Sequence, residues 1–378
     1  MKIAINAQLL SLDNSYRSAG VSQHIYHLLK ALSRVNSKDI SVFVRKQKEY
    51  IPGFKYLETS FSSSNRILRI LWEQVVLPQL IKEHGIDLLH SPMHILPLNC
   101  RCKSVVTIHD LSFLRLKDTH KGLQRWYLKN FTYHSCKKAD KIIAVSENTK
   151  KDIVDLFKID NKKIRVIYNG VSDIFKVIDD KERLNKVRNK YNLPDKFILY
   201  VGTLEPRKNI PGLIKAFNIC KESKSLSHKL VITGSKGWGY SDIFKLIEDL
   251  GLKDEVIFTG FIENSDLPYI YNLADLFIYP SFYEGFGLPP LESMASGTPV
   301  ITSNTSSLKE VVDDAGIVVD PYDIEGLAEN ISAVLNNNDL YIDLRNKGLK
   351  RAEKFSWDKT AKETLKVYDE VLEAVKYR

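Results

Sequence analysis

Short runs of β-branched and aromatic residues alternate with longer amphipathic segments along this chain of 378 residues. Alternation on this scale predicts parallel sheets whose strands are joined by right-handed helical crossovers. The strands predicted in the first half are Lys2–Ala7, Ile40–Val44, Ile86–His90, Ser104–Ile108, Lys141–Val145 and Lys163–Ile167. Those predicted in the second half are Phe197–Val201, Lys229–Thr233, Glu255–Thr259, Ala274–Tyr279, Pro299–Thr302 and Gly316–Val319. The expected fold class is α/β.

The alternation breaks between Ser172 and Asp195, where a charged helical segment separates two series of strands. We therefore expect two doubly wound, Rossmann-like domains that face each other across a cleft, in residues 1–175 and 197–355, with a linker at 176–196. A last helix in residues 356–378 has no strand after it and is expected to cross back to the first domain. Open sheets of this kind bind ligands at the carboxyl ends of their strands.

The net charge of +9 is unevenly distributed along the chain. Residues 1–175 hold 28 basic and 15 acidic side chains, a balance of +13, whereas residues 176–378 hold 27 and 31, a balance of −4. The positive excess therefore lies in the first half. It favours an anionic partner for the first domain.

Apolar runs are too short to predict a secretory leader or a membrane span, and we expect a cytoplasmic protein. The four cysteines fit a reduced compartment. Cys100 and Cys102 have no second pair at zinc-binding spacing, so we expect two thiols in a loop rather than a metal site.

The most informative stretch runs from Tyr279, at the end of a predicted strand, to Glu292 in a predicted helix. Its glycines let backbone amides approach a ligand closely, and its two prolines suit the first turn of a helix. The amides of a helix N-terminus bind anions, but Glu284 and Glu292 would repel one unless they bind hydroxyl groups of the same ligand. The pattern indicates a phosphate-bearing sugar ligand. A solvated turn is the alternative for this segment alone.

A second turn between a predicted strand and a helix carries the adjacent cations Arg207 and Lys208. Adjacent cations at the carboxyl edge of a sheet suit a diphosphate and stabilise its departure from a substrate. An exposed basic turn is the alternative. Because the Glu284 loop is expected at the same sheet edge, we favour the diphosphate.

In the first domain, a predicted strand places His109 and Asp110 at the sheet edge. Gly20 opens the first long helix, although one glycine before a helix is a weak signal for phosphate or sugar binding. The pairs His24/His27 and His90/His94 lack a carboxylate that would complete a metal site, so we expect core or solvent roles for all four.

The chain resembles glycosyltransferase family 4, whose members are retaining enzymes of the two-domain GT-B fold that use nucleotide sugars. The matching motifs, in chain order, are Gly20-Val21, Thr107-Ile108-His109-Asp110, Ala144-Val145-Ser146-Glu147, Asn169-Gly170-Val171, Glu205-Pro206-Arg207-Lys208-Asn209 and Glu284-x7-Glu292. The resemblance extends to the closing helix after Phe355-Ser356. The paired glutamates and the Arg-Lys turn are its specific elements.

The resemblance implies roles at the matching positions. Glu284 is similar to the residue that holds hydroxyls of the donor sugar, Glu292 to the one that binds the ribose, and His109 to the active-site histidine near the reacting carbon. Arg207 and Lys208 look like the diphosphate clamp. The implied loop residues of the donor site are Gly285, Phe286, Gly287 and Leu288. Many members carry Arg at the position of Thr203, and Arg207 is expected to compensate, as in the subgroup whose turn reads G-T-L-E-P-R-K-N.

That subgroup is rich in mannosyltransferases of bacterial surface-polysaccharide assembly. The resemblance therefore implies a retaining hexosyltransferase, with GDP-mannose the favoured donor. The charge of +13 in residues 1–175 favours an anionic lipid-linked or oligosaccharide acceptor. With two cations on the diphosphate, we expect no cofactor and no metal. The segment Arg66–Trp72 mixes Arg with apolar residues at helical spacing, a pattern that fits peripheral contact with the inner face of a membrane but fits a helix packed on the core somewhat better.

Three other functions share parts of this pattern. A nucleotide-sugar epimerase of the GT-B fold would use the same cleft, and a regulatory protein would bind the nucleotide sugar without turning it over. A nucleic-acid binder would fit the basic half, but no basic array interleaved with aromatic residues accompanies the charge. We expect no nucleic-acid partner.

Overall fold

A computed structural model describes residues 1–11, 20–35, 39–47, 49–59, 66–116, 122–223 and 226–374, without the side chain of Arg66. Residues 375–378 of the predicted last segment and the Arg66 side chain of the predicted amphipathic segment lie outside the described residues. The chain forms two compact units. Unit 1 comprises the described residues up to Gly170 and those from Ser356 onward, and unit 2 runs from Val171 to Phe355.

Unit 1 is built on a sheet of parallel strands. The strands are β1 Ile3–Asn6, β2 Ile40–Arg45, β3 Lys55–Thr59, β4 Leu88–Ser91, β5 Lys103–Ile108, β6 Lys141–Ala144 and β7 Ile164–Val166. Their order in the sheet is β3-β2-β1-β4-β5-β6-β7, which is a doubly wound topology. The helices are α1 Val21–Val35, α2 Arg66–Leu71, α3 Leu77–Glu83, α4 Ser112–Arg115, α5 Gly122–Lys138, α6 Glu147–Phe157 and α15 Trp357–Glu373.

Each face of this sheet is covered by a separate apolar core. On one face the strands pack against α1 and α15, through residues such as Leu28, Leu32 and Tyr368. On the other face they pack against the helices between residues 66 and 157, through residues such as Trp72 and Phe157. Because the sheet is buried on both faces, its central strands consist almost entirely of apolar residues.

Unit 2 repeats the architecture with a second parallel sheet. Its strands are β8 Phe197–Val201, β9 Lys229–Thr233, β10 Val256–Gly260, β11 Leu276–Tyr279, β12 Val300–Ser303 and β13 Ile317–Val319, in the order β10-β9-β8-β11-β12-β13. Its helices are α7 Lys181–Lys190, α8 Ile210–Glu222, α9 Ser241–Asp249, α10 Leu267–Leu273, α11 Leu288–Ala295, α12 Leu308–Val312, α13 Ile324–Asn336 and α14 Asn338–Ala352. The structure places the segment 176–196 within this unit, where α7 packs against α10.

The twelve strands predicted from the sequence are all present, but β3 was not predicted. It lies at the edge of its sheet beside β2, and most of its side chains are partly or fully exposed, so it lacks the apolar run of a central strand. The segment Arg66–Trp72 begins as α2, and a π-helical turn at Trp72–Val76 separates α2 from α3. Within the described residues, no helix combines the length and the apolar character that crossing a membrane requires.

Gly170 lies where the chain leaves unit 1, and it packs directly against the backbone at the start of α15. A Cβ atom on Gly170 would lie 2.1 Å from the backbone nitrogen of Trp357. The hydroxyl of Thr360, in the first turn of α15, donates a hydrogen bond to the carbonyl of Tyr168 at 2.7 Å. Only glycine permits this backbone contact, which fixes the start of α15 on unit 1.

We expect Gly170→Ala to lower the free energy of unfolding by about 2–4 kcal/mol, because the backbone of Trp357 must move to admit the methyl group. Gly122→Ala is the matched control, since its Cβ would meet no atom within 4 Å. Urea unfolding of both variants measures the difference. Equal stability of the two would show that the contact at Gly170 does not hold α15.

Candidate active site

The two sequence motifs of unit 2 emerge from neighbouring strands. Arg207 and Lys208 lie in a short 3-10 turn, Pro206–Lys208, that follows β8, and Glu284 lies in the loop that follows β11. Strands β8 and β11 are adjacent and parallel, so both loops leave the same edge of the sheet. The predicted convergence of the two motifs is confirmed.

The backbone leading to the cations is fixed by close packing against the loop after β9. The amide of Leu204 donates to the carbonyl of Ser235 at 3.0 Å, and the amide of Gly237 donates to the carbonyl of Leu204 at 3.1 Å. A Cβ on Gly234 would lie 2.1 Å from the carbonyl oxygen of Gly202. The glycine lets the two loops touch, which sets the position from which Arg207 projects.

Arg207, Lys208 and Glu284 form one buried ion cluster with Glu205. The Nζ of Lys208 donates to Oε1 of Glu284 at 2.7 Å, and Nη1 of Arg207 donates to Oε2 at 2.8 Å, so each carboxylate oxygen of Glu284 binds a different cation. Arg207 also donates through Nε and Nη2 to Oε1 of Glu205, at 3.1 and 2.7 Å. The side chains of Glu284 and Lys208 are only 11% and 9% exposed.

Burial by itself would raise the pKa of Glu284, but the positive charges and hydrogen bonds of Arg207 and Lys208 hold this pKa below its ordinary value. The carboxylate is therefore ionised at neutral pH. In buried pairs of this kind, removal of one partner generally costs about 3–5 kcal/mol, because the other charge is left uncompensated.

Two buried tyrosines complete the cluster, and the sequence analysis missed both. The ammonium group of Lys208 also donates to the hydroxyl of Tyr279, whose ring stacks on that of Tyr200 at 5.8 Å between centroids. The hydroxyl of Tyr200 is buried without a hydrogen-bond partner among the described residues. Both residues lie in strands that end at the motif loops. One sequence signal could have identified them: each is a tyrosine, with a polar hydroxyl, in an apolar strand that leads into a charged loop.

Glu292 projects from α11 and has different surroundings. Its carboxylate accepts a hydrogen bond from the hydroxyl of Tyr271 at 2.9 Å. Burial raises its pKa to about 7, an effect that the hydrogen bond from Tyr271 only partly offsets. Glu292 therefore changes charge near neutral pH, whereas Glu284 does not.

Hydrogen bonds to Ser306 and Ser307 hold the loop that joins Glu284 to Glu292. The backbone amide of Glu284 donates to the hydroxyl of Ser306 at 2.9 Å, and the hydroxyl of Ser307 donates to the carbonyls of Glu284 and Phe286. Gly287 precedes α11 with a φ of +126°, a conformation that favours glycine. Gly285 and Phe286 are buried and Leu288 is the first residue of α11.

Thr203 is exposed in the loop after β8, beside Gly237. Many members of family 4 carry an arginine at this position, as the sequence analysis noted. Arg207 is the guanidinium that the structure places at Glu284. The compensation by Arg207 stays a prediction.

His109 lies in unit 1, directly after β5, among other histidines. Its Nε2–H donates to the carbonyl of Pro92 at 2.9 Å, which leaves Nδ1 as the acceptor nitrogen. The ring contacts His24 edge to face at 4.6 Å and stacks on His94 at 5.4 Å. Burial lowers the pKa of His109, so the ring is neutral at pH 7.

His24 and His90 are buried and have hydrogen-bond partners in the core. His24 bonds Asn169 at 2.8 Å, and His90 bonds the hydroxyls of Tyr368 and Thr107. In the part of the chain that the structure describes, no group of three or more metal-binding side chains comes together.

The weaker candidates of unit 1 have local roles. The carboxylate of Asp110 accepts hydrogen bonds from the amide and hydroxyl of Ser112, which shapes the turn into α4. Gly20 has a φ of +59°, is exposed, and accepts the hydrogen bond from the amide of His24 at the start of α1.

The chain matches two family models, one for each half. The model described as Glycosyltransferase Family 4 covers residues 18–173, and the model described as Glycosyl transferases group 1 covers residues 181–351.

Two relatives come from Escherichia coli. O-antigen chain mannosyltransferase B is 34% identical over 289 residues, which cover 76% of this chain and 75% of the relative. Serotype-specific mannosyltransferase WbdA is 32% identical over 282 residues, which cover 73% of this chain. That relative is much longer, and the match spans 34% of its length.

Two solved structures share the fold. Sucrose-phosphate synthase from Thermosynechococcus elongatus superposes with a TM-score of 0.80 at 22% identity, covering 99% of both chains. Anabaena Alr3699/HepE, solved in complex with UDP-glucose, superposes with a TM-score of 0.76 at 19% identity, covering 98% of this chain and 100% of that one. The expected GT-B fold is confirmed.

Proposed function

The chain belongs to glycosyltransferase family 4, and from that premise we propose that it transfers a hexose from a nucleoside-diphosphate sugar to an acceptor hydroxyl with retention at the anomeric carbon. The single observation that carries this proposal is the convergence of Arg207 and Lys208 on Glu284 at one sheet edge. Two cations suit a diphosphate, and a carboxylate suits the hydroxyls of the sugar attached to it.

Mannose is the proposed sugar and GDP-mannose the proposed donor. The support is the similarity to O-antigen chain mannosyltransferase B over three quarters of both chains. The proposed acceptor is a lipid-linked or oligosaccharide intermediate of a surface polysaccharide, and the O-antigen chain in the name of that relative supports the polysaccharide part of this proposal. Both relatives named above are transferases, and neither supports an epimerase.

In the proposed mechanism Arg207 and Lys208 stabilise the negative charge that develops on the departing diphosphate. The bond between the anomeric carbon and the diphosphate oxygen breaks, the acceptor oxygen bonds to the same face of that carbon, and the acceptor proton moves to the departing diphosphate. Glu284, held by two cations, would bind sugar hydroxyls rather than attack the carbon. His109 would contact the donor sugar near this carbon, and no metal ion is required.

The test is a thermal-shift panel of GDP-, UDP-, ADP- and dTDP-sugars, followed by turnover of the sugar that binds. We expect GDP-mannose to stabilise the protein, by about 2.7 kcal/mol at a concentration one hundred times its Kd. NMR of the product should show the anomeric configuration of the donor, and EDTA should leave the rate unchanged.

Three results would count against parts of the proposal. Absence of a shift with every nucleotide sugar would contradict the enzymatic function. An inverted product would contradict retention, and loss of turnover in EDTA would show that a metal takes part.

We expect donor affinity to rise about tenfold between pH 6 and pH 8, because Glu292 has a pKa of about 7 and only its ionised form accepts hydrogen bonds from both ribose hydroxyls. The Kd of the donor sugar, whose diphosphate does not titrate in this range, measures the effect. In Glu292→Gln the affinity should be weaker and independent of pH. A slope that persists in the variant would assign the titration to another group.

We also propose that unit 1 contacts an anionic membrane at its inner, cytoplasmic face. In the segment Arg66–Trp72 the structure buries Trp72 in the core but leaves Leu71 exposed, and Val75 in the following turn is exposed as well. Leu98 is also exposed, and its amide donates to the side chain of Gln74, the neighbour of Val75 in the chain. The apolar row of Leu71 and Val75, which are four residues apart in the half of the chain with a charge of +13, supports contact with acidic lipid.

We expect the protein to co-sediment with vesicles that contain phosphatidylglycerol and to bind less to neutral vesicles. The double variant Leu71→Ser/Val75→Ser should bind several-fold less at equal lipid. Ile342→Ser, which removes an exposed apolar side chain from unit 2, is the control and should bind as the wild type does. Equal binding by all three proteins would exclude the apolar row as the contact.

A further inference from the structure

We infer that Glu205 is a placeholder for the donor diphosphate. Its carboxylate accepts hydrogen bonds from the guanidinium of Arg207 when no donor is bound, and it must release Arg207 before Arg207 and Lys208 can both bind the diphosphate. The inference rests on the proposed function, because it assumes that Arg207 binds a diphosphate. It assigns to Glu205 a gating role at the same site.

The guanidinium of Arg207 already donates hydrogen bonds to protein acceptors where a diphosphate would bind. Its Nη1 donates to Glu284 and to the carbonyl of Tyr283, and its Nε and Nη2 both donate to Glu205. Every nitrogen of the guanidinium therefore already has a protein acceptor. The Nε–Nη2 edge, held by Glu205, is one of the edges with which arginine binds two oxygens of a phosphate side by side.

The two carboxylates around Arg207 are not equivalent. Both oxygens of Glu284 accept hydrogen bonds from cations, its backbone amide is held by Ser306, and the side chain is 11% exposed. Glu205 uses only Oε1, Oε2 has no hydrogen-bond partner among the described residues, and its side chain is 21% exposed. Glu205 is the carboxylate that can leave with least loss, since water can solvate it.

The net charge of the cluster also supports release of Glu205 when a diphosphate binds. Two cations and two carboxylates make the cluster neutral, so an incoming diphosphate meets no net attraction from it. When Glu205 turns toward solvent, Arg207 and Lys208 face the diphosphate against the single charge of Glu284. The cluster then carries a net charge of about +1 that acts in a poorly solvated place.

The movement requires only rotation of a side chain. The backbone carbonyl of Glu205 accepts the amide of Lys208 at 3.0 Å, and Leu204 is fixed by its hydrogen bonds to the neighbouring loop. Pro206 restricts the backbone further. Glu205 can therefore release Arg207 without displacing Lys208 or the turn.

The experiment is titration calorimetry of GDP and UDP, with inorganic pyrophosphate as a competitor, on the full chain. Glu205→Gln should bind the preferred nucleoside diphosphate about 3- to 10-fold more tightly than the wild type, because the competing ion pair is lost. Glu205→Asp keeps the charge but shortens the reach to Arg207, and it should also bind more tightly. Glu263→Gln, which removes a charge paired with Lys190 on the surface of unit 2, should bind as the wild type does.

The outcomes separate the inference from the proposed function. If the wild type binds no nucleoside diphosphate and Lys208→Ala changes nothing, the proposed function fails. If the wild type binds and Lys208→Ala abolishes binding, but Glu205→Gln binds equally or more weakly, the placeholder role alone is wrong. Tightening in Glu205→Gln without tightening in Glu205→Asp would assign the effect to charge at a distance, which also overturns the placeholder.

Discussion

The shared carboxylate of Glu284 is the interaction on which the candidate site depends. It keeps an ionised acid buried by giving each of its oxygens a different cation, Arg207 or Lys208. It equally keeps those two cations buried, and neither would be stable there alone. The cluster thus holds its positive charge against internal carboxylates. Under the proposed function, binding of the diphosphate would be an exchange of anions rather than the filling of a positively charged pocket.

This arrangement follows from the topology of unit 2. Strands β8 and β11 are neighbours in the sheet although helices and strands separate them in the chain, and parallel neighbours deliver their following loops to one edge. Backbone contact at Gly234 then fixes the loop that carries Arg207, while Ser306 and Ser307 fix the loop that carries Glu284. The ion pairs therefore form between supports that are already rigid, which lowers the entropy lost when long side chains are ordered.

Periodicity in the sequence predicted the fold class, twelve strands and the shared edge, because buried parallel strands impose continuous apolar runs. It missed β3, whose edge position leaves it without such a run. It also missed the contacts of Tyr200, Tyr279 and Glu205 in the cluster, since partners across a sheet depend on register and side-chain direction rather than spacing along the chain. The segment with Trp72 illustrates the same limit: its pattern fitted both a core and an exposed helix, and the structure uses it as both.

Because the cluster around Glu284 has no net charge, it exerts little long-range attraction on an anion. Residues 176–378 carry a net charge of −4, so a donor with a negatively charged diphosphate gains little from the field of this half and depends on short-range hydrogen bonds. Under the proposed function such bonds would be selective, because they would form only when a ligand supplies both oxygens for Arg207 and hydroxyls for Glu284. The +13 of residues 1–175 attracts anions at a distance and without such discrimination. The proposed function therefore assigns discrimination between ligands to the cluster of Glu205, Arg207, Lys208 and Glu284, and attraction of a large anionic partner to the basic half of the chain.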